Sequence, residues 1–318
     1  MGDHAEDTLE PYWPSIEDRG AHPLTTYPTE TPMAKVSRQT KKAPRRKAPI
    51  KAKTTSPPPK KSGSGWMGRR PFAFVGYGPS GVGKTSLAAH FPNVVFVHDP
   101  QETGIEDLVE FGQAPKPLDI IEADTWTSLL EVMDRIALGK VKGAETVVVD
   151  SLTGIEKLCF HHHCQENFEG DWSSRGFYSY QQGPKTAAKT DWPEFLDLCE
   201  ACRGNGVNVF LVAHSTVKPY NNPEGKDWDR WIPRLEKDIW DATHRWAQAV
   251  FFLNHAVELD EKGARKKAKG DSERRVIFTE GFSHFDAKNR MGISPVLDMG
   301  DSGLEAYTSL KEAMESLG

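Results

Sequence analysis

Residues 72–86 read FAFVGYGPSGVGKTS, an apolar run that gives way to Gly78, Pro79, Ser80, Gly81, Val82, Gly83, Lys84 and Thr85, with Ser86 behind them. These eight residues fit the pattern GxxxxGK[ST] without a mismatch. The apolar strand before them and the helical SLAAHF after them are the context the pattern requires. Glycines at these places let successive backbone N–H groups turn inward around an anion. Lys84 then supplies a point charge for β- and γ-phosphates, and the Thr85 hydroxyl a ligand for Mg²⁺. A helix starting at Lys84 adds its positive end. ATP with Mg²⁺ is the ligand such a loop is built for, and a merely Gly-rich turn is the competing reading.

Downstream of the loop, strand-like and helix-like segments alternate, which predicts an α/β fold around a mostly parallel central sheet flanked by helices. Strands are expected at 72–75, 93–98, 118–121, 207–213 and in AVFFLN (249–254) and RVIFTE (275–280). Helices are expected at 84–90, 125–136, 152–168, 190–203, 235–246 and 303–317. The run ETVVVDS ends a β-rich stretch on Asp150, which reads as the strand-end carboxylate of a Mg²⁺ shell, with a helix N-cap as the alternative. An acid after the second strand would lie at the carboxyl edge of the sheet, where doubly wound folds place their chemistry. Glu102 and Asp99 both qualify. The strand at 207–213 delivers His214 and Ser215 to the same edge as Asp150.

Two further stretches carry side chains suited to binding. TVKPYNNPEGKDWDRWIPR interleaves Lys218, Tyr220, Lys226, Trp228, Arg230, Trp231 and Arg234 with turn residues. Cations can track a phosphate backbone while rings stack on any base, so this loop suits single-stranded DNA; a lid or a subunit contact is the other reading. Residues 169–187, with Trp172, Phe177, Tyr178, Tyr180 and Lys185, could stack bases as well, although packing over the sheet is favoured. Cys159, His161, His162, His163 and Cys164, with Cys199 and Cys202 further on, offer soft ligands. Their spacing matches no common zinc ribbon, so packed thiols are expected.

Composition bounds the rest. The chain has 318 residues, is 37% hydrophobic and contains four cysteines, which suits one large domain in a reducing compartment and no disulfide framework. No apolar run approaches membrane-spanning length and the amino terminus is acidic, so a cytoplasmic protein without a membrane partner is expected. The formal charge of −5 is unevenly spread. Residues 1–34 hold seven acids and one Arg, a net −6; residues 35–65 hold eleven Lys and Arg and no acid, a net +11; residues 66–318 therefore carry −10. Residues 1–65 lack apolar periodicity and read as a disordered tail, acidic then basic, ahead of a folded domain from 66 to 318. The basic block can hold nucleic acid through phosphate charge alone; a solubilising leader or a nuclear-import patch fits it equally.

Taken in order, the parts resemble the RecA-type recombinases, a branch of the P-loop NTPases, over about residues 70–295. The run AHSTVK, the PEG turn and FDAKNR look more closely like the phage-encoded AAA-type ATPases of the Sak single-strand-annealing group, which are compact RecA-like cores. That resemblance implies a DNA-stimulated ATPase that forms a ring or filament with nucleotide at its subunit interfaces. It also implies an association with a single-strand DNA-binding protein and, for a phage-encoded chain, residence in the host cytoplasm. Glu102 would activate the attacking water. His214 would sense the γ-phosphate and pass its state to a mobile DNA-binding loop, residues 215–231. Lys288 and Arg290 would match a Lys-Asn-Lys that reaches a neighbour's nucleotide. Two departures stand out: DPQE follows the second strand in place of a short Asp-x-Glu, and a His stands where recombinases carry an amide. A helicase or packaging motor, and an ATP-switched DNA-binding module without turnover, are the competing functions.

Overall fold

A computed structural model describes residues 70–256 and 274–317, together with the backbone of residues 259–260 and 267–268. The acidic-then-basic tail at 1–65 and most of the charged stretch at 257–273 lie outside the described residues.

In chain order the elements are β1 (Ala73–Gly78), α1 (Lys84–Ala88), β2 (Val94–His98), α2 (Gly104–Glu110), β3 (Asp119–Glu122), α3 (Trp126–Ala137), β4 (Thr146–Asp150) and α4 (Leu152–Phe168). A 3-10 turn at Ser179–Gln181 then leads into α5 (Gln182–Thr190), α6 (Trp192–Gly204), β5 (Asn208–Tyr220), β6 (Trp228–Pro233), α7 (Lys237–Trp246) and β7 (Ala249–His255). The chain ends with β8 (Leu259–Asp260), β9 (Lys267–Ala268), β10 (Arg275–Phe278), β11 (Lys288–Asn289), β12 (Val296–Asp298) and α8 (Gly303–Glu315).

The main sheet runs β12-β10-β7-β1-β5-β4-β2-β3. Its centre, β7 to β3, is parallel throughout; β10 and β12 close one side antiparallel. This is the expected architecture, a mixed α/β core with its sheet between helices. Parallel strands covered on both faces read as near-continuous apolar runs, and β1, β2 and β4 are buried from end to end. Alternate residues then sort to the two faces. Val75 and Tyr77 point into the core under α3, α4, α6 and α7, while Phe74 points into the opposite core with α1, α2 and α8.

Side-chain caps fix where the helices begin. Thr125 and Ser128 form a reciprocal capping box on α3, Ser151 accepts from Gly154 N at α4, and Ser302 caps α8. The Glu236 carboxylate accepts from Asp238 N and Ile239 N, while its own backbone N–H donates to Glu156 on α4 at 2.6 Å. Burial raises the Glu156 carboxyl from 4.5 to about 7. A folded-state pKa above the unfolded one means this group's contribution is complete below about pH 4.5 and is lost as pH rises through 7. Glu156→Gln keeps the acceptor and removes the titration. It should raise stability at pH 8 by on the order of 1 to 2 kcal/mol and leave it unchanged at pH 4, checked by thermal unfolding at the two pH values.

One expectation fails here. Residues 215–231, read as a mobile loop, form an antiparallel ribbon in which β5 continues past the sheet and pairs with β6, from Ser215 opposite Pro233 to Tyr220 opposite Trp228. Thr216, Val217, Tyr220, Trp228, Trp231 and Ile232 are β formers on either side of a turn that begins with Asn-Asn-Pro. Pro219 sits in this strand because β5 has lost its neighbours β1 and β4 by this point and pairs on one side only, where proline is tolerated.

Candidate functional site

The phosphate loop joins β1 to α1 at the carboxyl edge of the sheet. Gly83 takes φ +102°, a left-handed conformation that costs glycine little. Gly78 is required by close approach, since a Cβ there would meet the Leu253 carbonyl oxygen at 2.2 Å. Ser80 and Gly81 are exposed, Pro79, Gly83, Thr85 and Ser86 are half-buried, and Val82 is fully buried among Leu87, Phe251 and Leu253. Val82 therefore offers a ligand its backbone alone. Because α1 is only five residues long, the anion-binding character of the loop rests on its local N–H groups rather than on a long helix dipole.

Around this loop the chain gathers residues distant in sequence. Thr85 Oγ1 donates to Asp150 Oδ2 at 2.6 Å. Lys84, 6% exposed, donates from Nζ to the carbonyls of Gly78 and Pro79 at 3.1 and 2.9 Å. Glu102 Oε1 accepts from Ser151 Oγ at 3.0 Å and from His214 Nε2 at 2.7 Å. Each comes from the carboxyl edge of the sheet: Asp150 ends β4 and Ser151 caps α4 directly after it, His214 lies in β5 where its pairing with β1 ends, and the turn after β2 carries Glu102.

The charges are mutually adjusted. Burial lowers the Lys84 pKa, and the nearby Asp150 and Glu102 partly restore it. Burial raises the Asp150 carboxyl, against the Thr85 hydrogen bond. The His214 hydrogen bond holds Glu102 below the usual carboxylate range despite its partial burial. A hydroxyl and a carboxylate in contact form an all-oxygen donor pair suited to Mg²⁺, which prefers hard ligands and keeps several waters. With the basic, N–H-lined loop beside them, these residues fit a magnesium-bound triphosphate.

Asp99 and Glu102 are separated by the turn between them, in which Glu102 N bonds Asp99 O at 3.1 Å. Asp99 is 5% exposed, its Oδ1 accepts from Gln101 N, and its Oδ2 is packed against Gly154 in the first turn of α4. Glu102 faces Ser151 and His214; Asp99 does not reach them.

The remaining candidates lie elsewhere. On the ribbon, Lys218, Tyr220, Trp228 and Arg230 share one face: Tyr220 stacks on Trp228 with centroids 4.9 Å apart, and Arg230 lies 5.6 Å over the Tyr220 ring. Lys226, in the turn, is exposed. Trp231 points to the other face and packs toward Phe252 of the core, so its expected role as a stacking residue is replaced by packing. Phe177 is buried between Phe160, Phe168 and Trp172, whereas Tyr180 is 90% exposed. All four cysteines are buried free thiols. Among the described residues no group of three or more His, Cys, Asp or Glu is placed to hold a metal ion.

Lys288 and Arg290 flank β11 or lie in it, and β11 pairs with Ala249 and Val250 at the start of β7. That is the sheet edge opposite the phosphate loop. Lys288 Nζ donates to the carbonyls of His244, Ala247 and Arg245 at 2.5, 2.6 and 3.4 Å, capping the end of α7. The expectation that it extends toward a neighbour's nucleotide is corrected: this ammonium is occupied within its own chain. Asn289 closes the following turn through Gly292 N and Ile293 O, and Arg290 alone remains exposed.

Residues 70–291 match the model of a family described as an AAA domain. No curated protein matches the chain. Among the described residues no helix is long and apolar enough to cross a membrane.

Proposed function

The chain belongs to this AAA-domain family of nucleotide-binding P-loop ATPases, and from that premise we propose that it hydrolyses ATP at the Thr85–Asp150 edge and couples turnover to single-stranded DNA held on the β5–β6 ribbon. The observation that carries the reading is the 2.6 Å contact between Thr85 and Asp150, with Glu102 held between Ser151 and His214 beside it. Loop N–H groups and Lys84 bind and orient the phosphates. Thr85 and Asp150 would hold Mg²⁺, which when bound neutralises charge on the phosphate oxygens. Glu102 orients the attacking water and accepts its proton, while Ser151 and His214 fix the carboxylate.

His214 stands where β5 passes from the sheet into the ribbon, so a change at Glu102 reaches the ribbon through one continuous strand. The Tyr220–Trp228 pair and the cations Lys218, Lys226 and Arg230 suit stacked bases and a phosphate backbone. On this reading the chain takes a place among the Sak-like single-strand-annealing ATPases and acts as a homo-oligomer alongside a single-strand DNA-binding protein. Exposed Arg290 is the candidate for a cation offered to a neighbouring subunit. The direct test is ATP turnover with and without single-stranded DNA; an unstimulated rate would remove the DNA coupling and leave the nucleotide site standing.

Separate roles are expected on the two faces of the ribbon. Tyr220→Ala and Trp228→Ala should each weaken single-stranded DNA binding by about 1 to 3 kcal/mol with little change in ATP affinity. Trp231→Ala should instead lower the unfolding temperature, because it removes a ring packed toward Phe252. Fluorescence titration with oligonucleotides and thermal unfolding separate the two; unchanged DNA affinity in the first pair would move the DNA site off the ribbon.

A further inference from the structure

Arg275 begins β10 opposite His255, the last residue of β7, and so lies at the sheet edge from which the phosphate loop also departs. The residue is half-buried. Its Nε and Nη2 both donate to the Gly300 carbonyl, at 3.2 and 2.8 Å, which fixes the plane of the guanidinium. Nη1 faces the other way, onto the loop. A methyl group placed on Gly83 would meet Arg275 Nη1 at 2.9 Å and Met299 Cε at 3.5 Å.

This places a cation against the residue next to Lys84, on the flank made by β7 and β10. Asp150, Ser151, Glu102 and His214 occupy the other flank, on β4, β2 and β5. Among the described residues no acid pairs with Arg275; the nearby Asp298 is taken by Arg274 at 2.8 Å. A partly desolvated guanidinium without a counter-ion, held in a fixed plane beside an anion-binding loop, is suited to a phosphate arriving from outside.

Its flank decides which part of the ligand it meets. The phosphate to be transferred must lie beside Glu102, so a group on the opposite side of the loop faces the part that ATP and ADP have in common. We propose that Arg275 is a nucleotide-binding residue that donates from Nη1 to the α-phosphate end of a bound nucleoside di- or triphosphate. The inference rests on the nucleotide reading above. An interaction present equally before and after transfer contributes uniform binding, so it lowers KM and leaves kcat nearly unchanged.

The test is calorimetric titration of wild type, Arg275→Gln and Arg275→Lys with Mg-ADP, together with steady-state turnover of Mg-ATP and thermal unfolding without ligand. Arg275→Gln should raise the Kd for ADP and the KM for ATP together by about tenfold or more, with kcat within a few-fold of wild type. Arg275→Lys, which keeps the charge and loses the fork to Gly300, should fall between the two in affinity. Unchanged ADP affinity in Arg275→Gln would overturn the proposal. So would a loss confined to kcat, or affinity losses in the two variants that follow their unliganded unfolding temperatures and not their charge. If Arg275→Gln does not fold, Arg275→Lys carries the test, and wild-type affinity in it would be decisive against. Wild-type protein that binds no ADP would remove the nucleotide reading itself, a distinct outcome.

Discussion

Lys84→Ala should abolish productive Mg-ATP binding while the unliganded protein keeps its fold. The Lys84 ammonium is buried and has only the loop carbonyls of Gly78 and Pro79 as hydrogen-bond partners among the described residues. Pro79, at least, is only half-buried, so water can reach its carbonyl when the donor is lost. Removing a cation whose burial already disfavours its charged form relieves a desolvation cost and offsets the lost hydrogen bonds. Stability is therefore expected to change by about 1 kcal/mol or less. Binding is different, because charge-assisted contacts to phosphate oxygens exist only in the complex. Their loss should weaken Mg-ATP by about a hundredfold or more. Thr85→Ala should also impair magnesium-dependent binding, since it removes the hydroxyl on Asp150 Oδ2. Titration with Mg-ATP beside thermal unfolding reads both quantities, and wild-type affinity in Lys84→Ala would end the site assignment.

The parts of this architecture that could be read without coordinates are those whose cause is local. An apolar run ending in GxxxxGK[ST] states its own strand, turn and helix, and the valines before Asp150 state a buried strand ending on a carboxylate. The helix at 152–168 stands where it was expected, although its cap is Ser151 and not Asp150, the residue for which a capping role had been the alternative. What escaped depended on distant partners. Lys288 is claimed by the end of a helix more than forty residues upstream, a destination no local pattern shows. Trp231 and Trp228 look alike in sequence, yet the pleat sends one toward Phe252 and the other to the stack with Tyr220. Arg275 belongs to no motif, and only the crossing of β10 and the loop places it against Gly83. The different surroundings of Asp99 and Glu102 depend on one turn of backbone, invisible in the string DPQE.

Glu102→Gln should retain Mg-ATP binding and lose hydrolysis by about 10²- to 10⁴-fold, the range expected when a general base is removed. The amide keeps the size of the side chain and an oxygen that can accept from Ser151 and His214, so the pocket should persist. What it cannot do is take a proton from water. The His214 hydrogen bond is the largest influence on Glu102 and lowers its pKa, so the free enzyme carries a carboxylate well into the acid range. His214→Ala should therefore shift the acid limb of kcat/KM to higher pH, because Glu102 then protonates nearer its ordinary range, and should separate ATP turnover from any stimulation carried along β5. Asp99→Asn offers the control. Asp99 is wedged against Gly154 and does not reach Ser151 or His214, so it should cost stability with little effect on kcat. If Asp99→Asn abolishes turnover and Glu102→Gln leaves it intact, the base has been assigned to the wrong side of the turn.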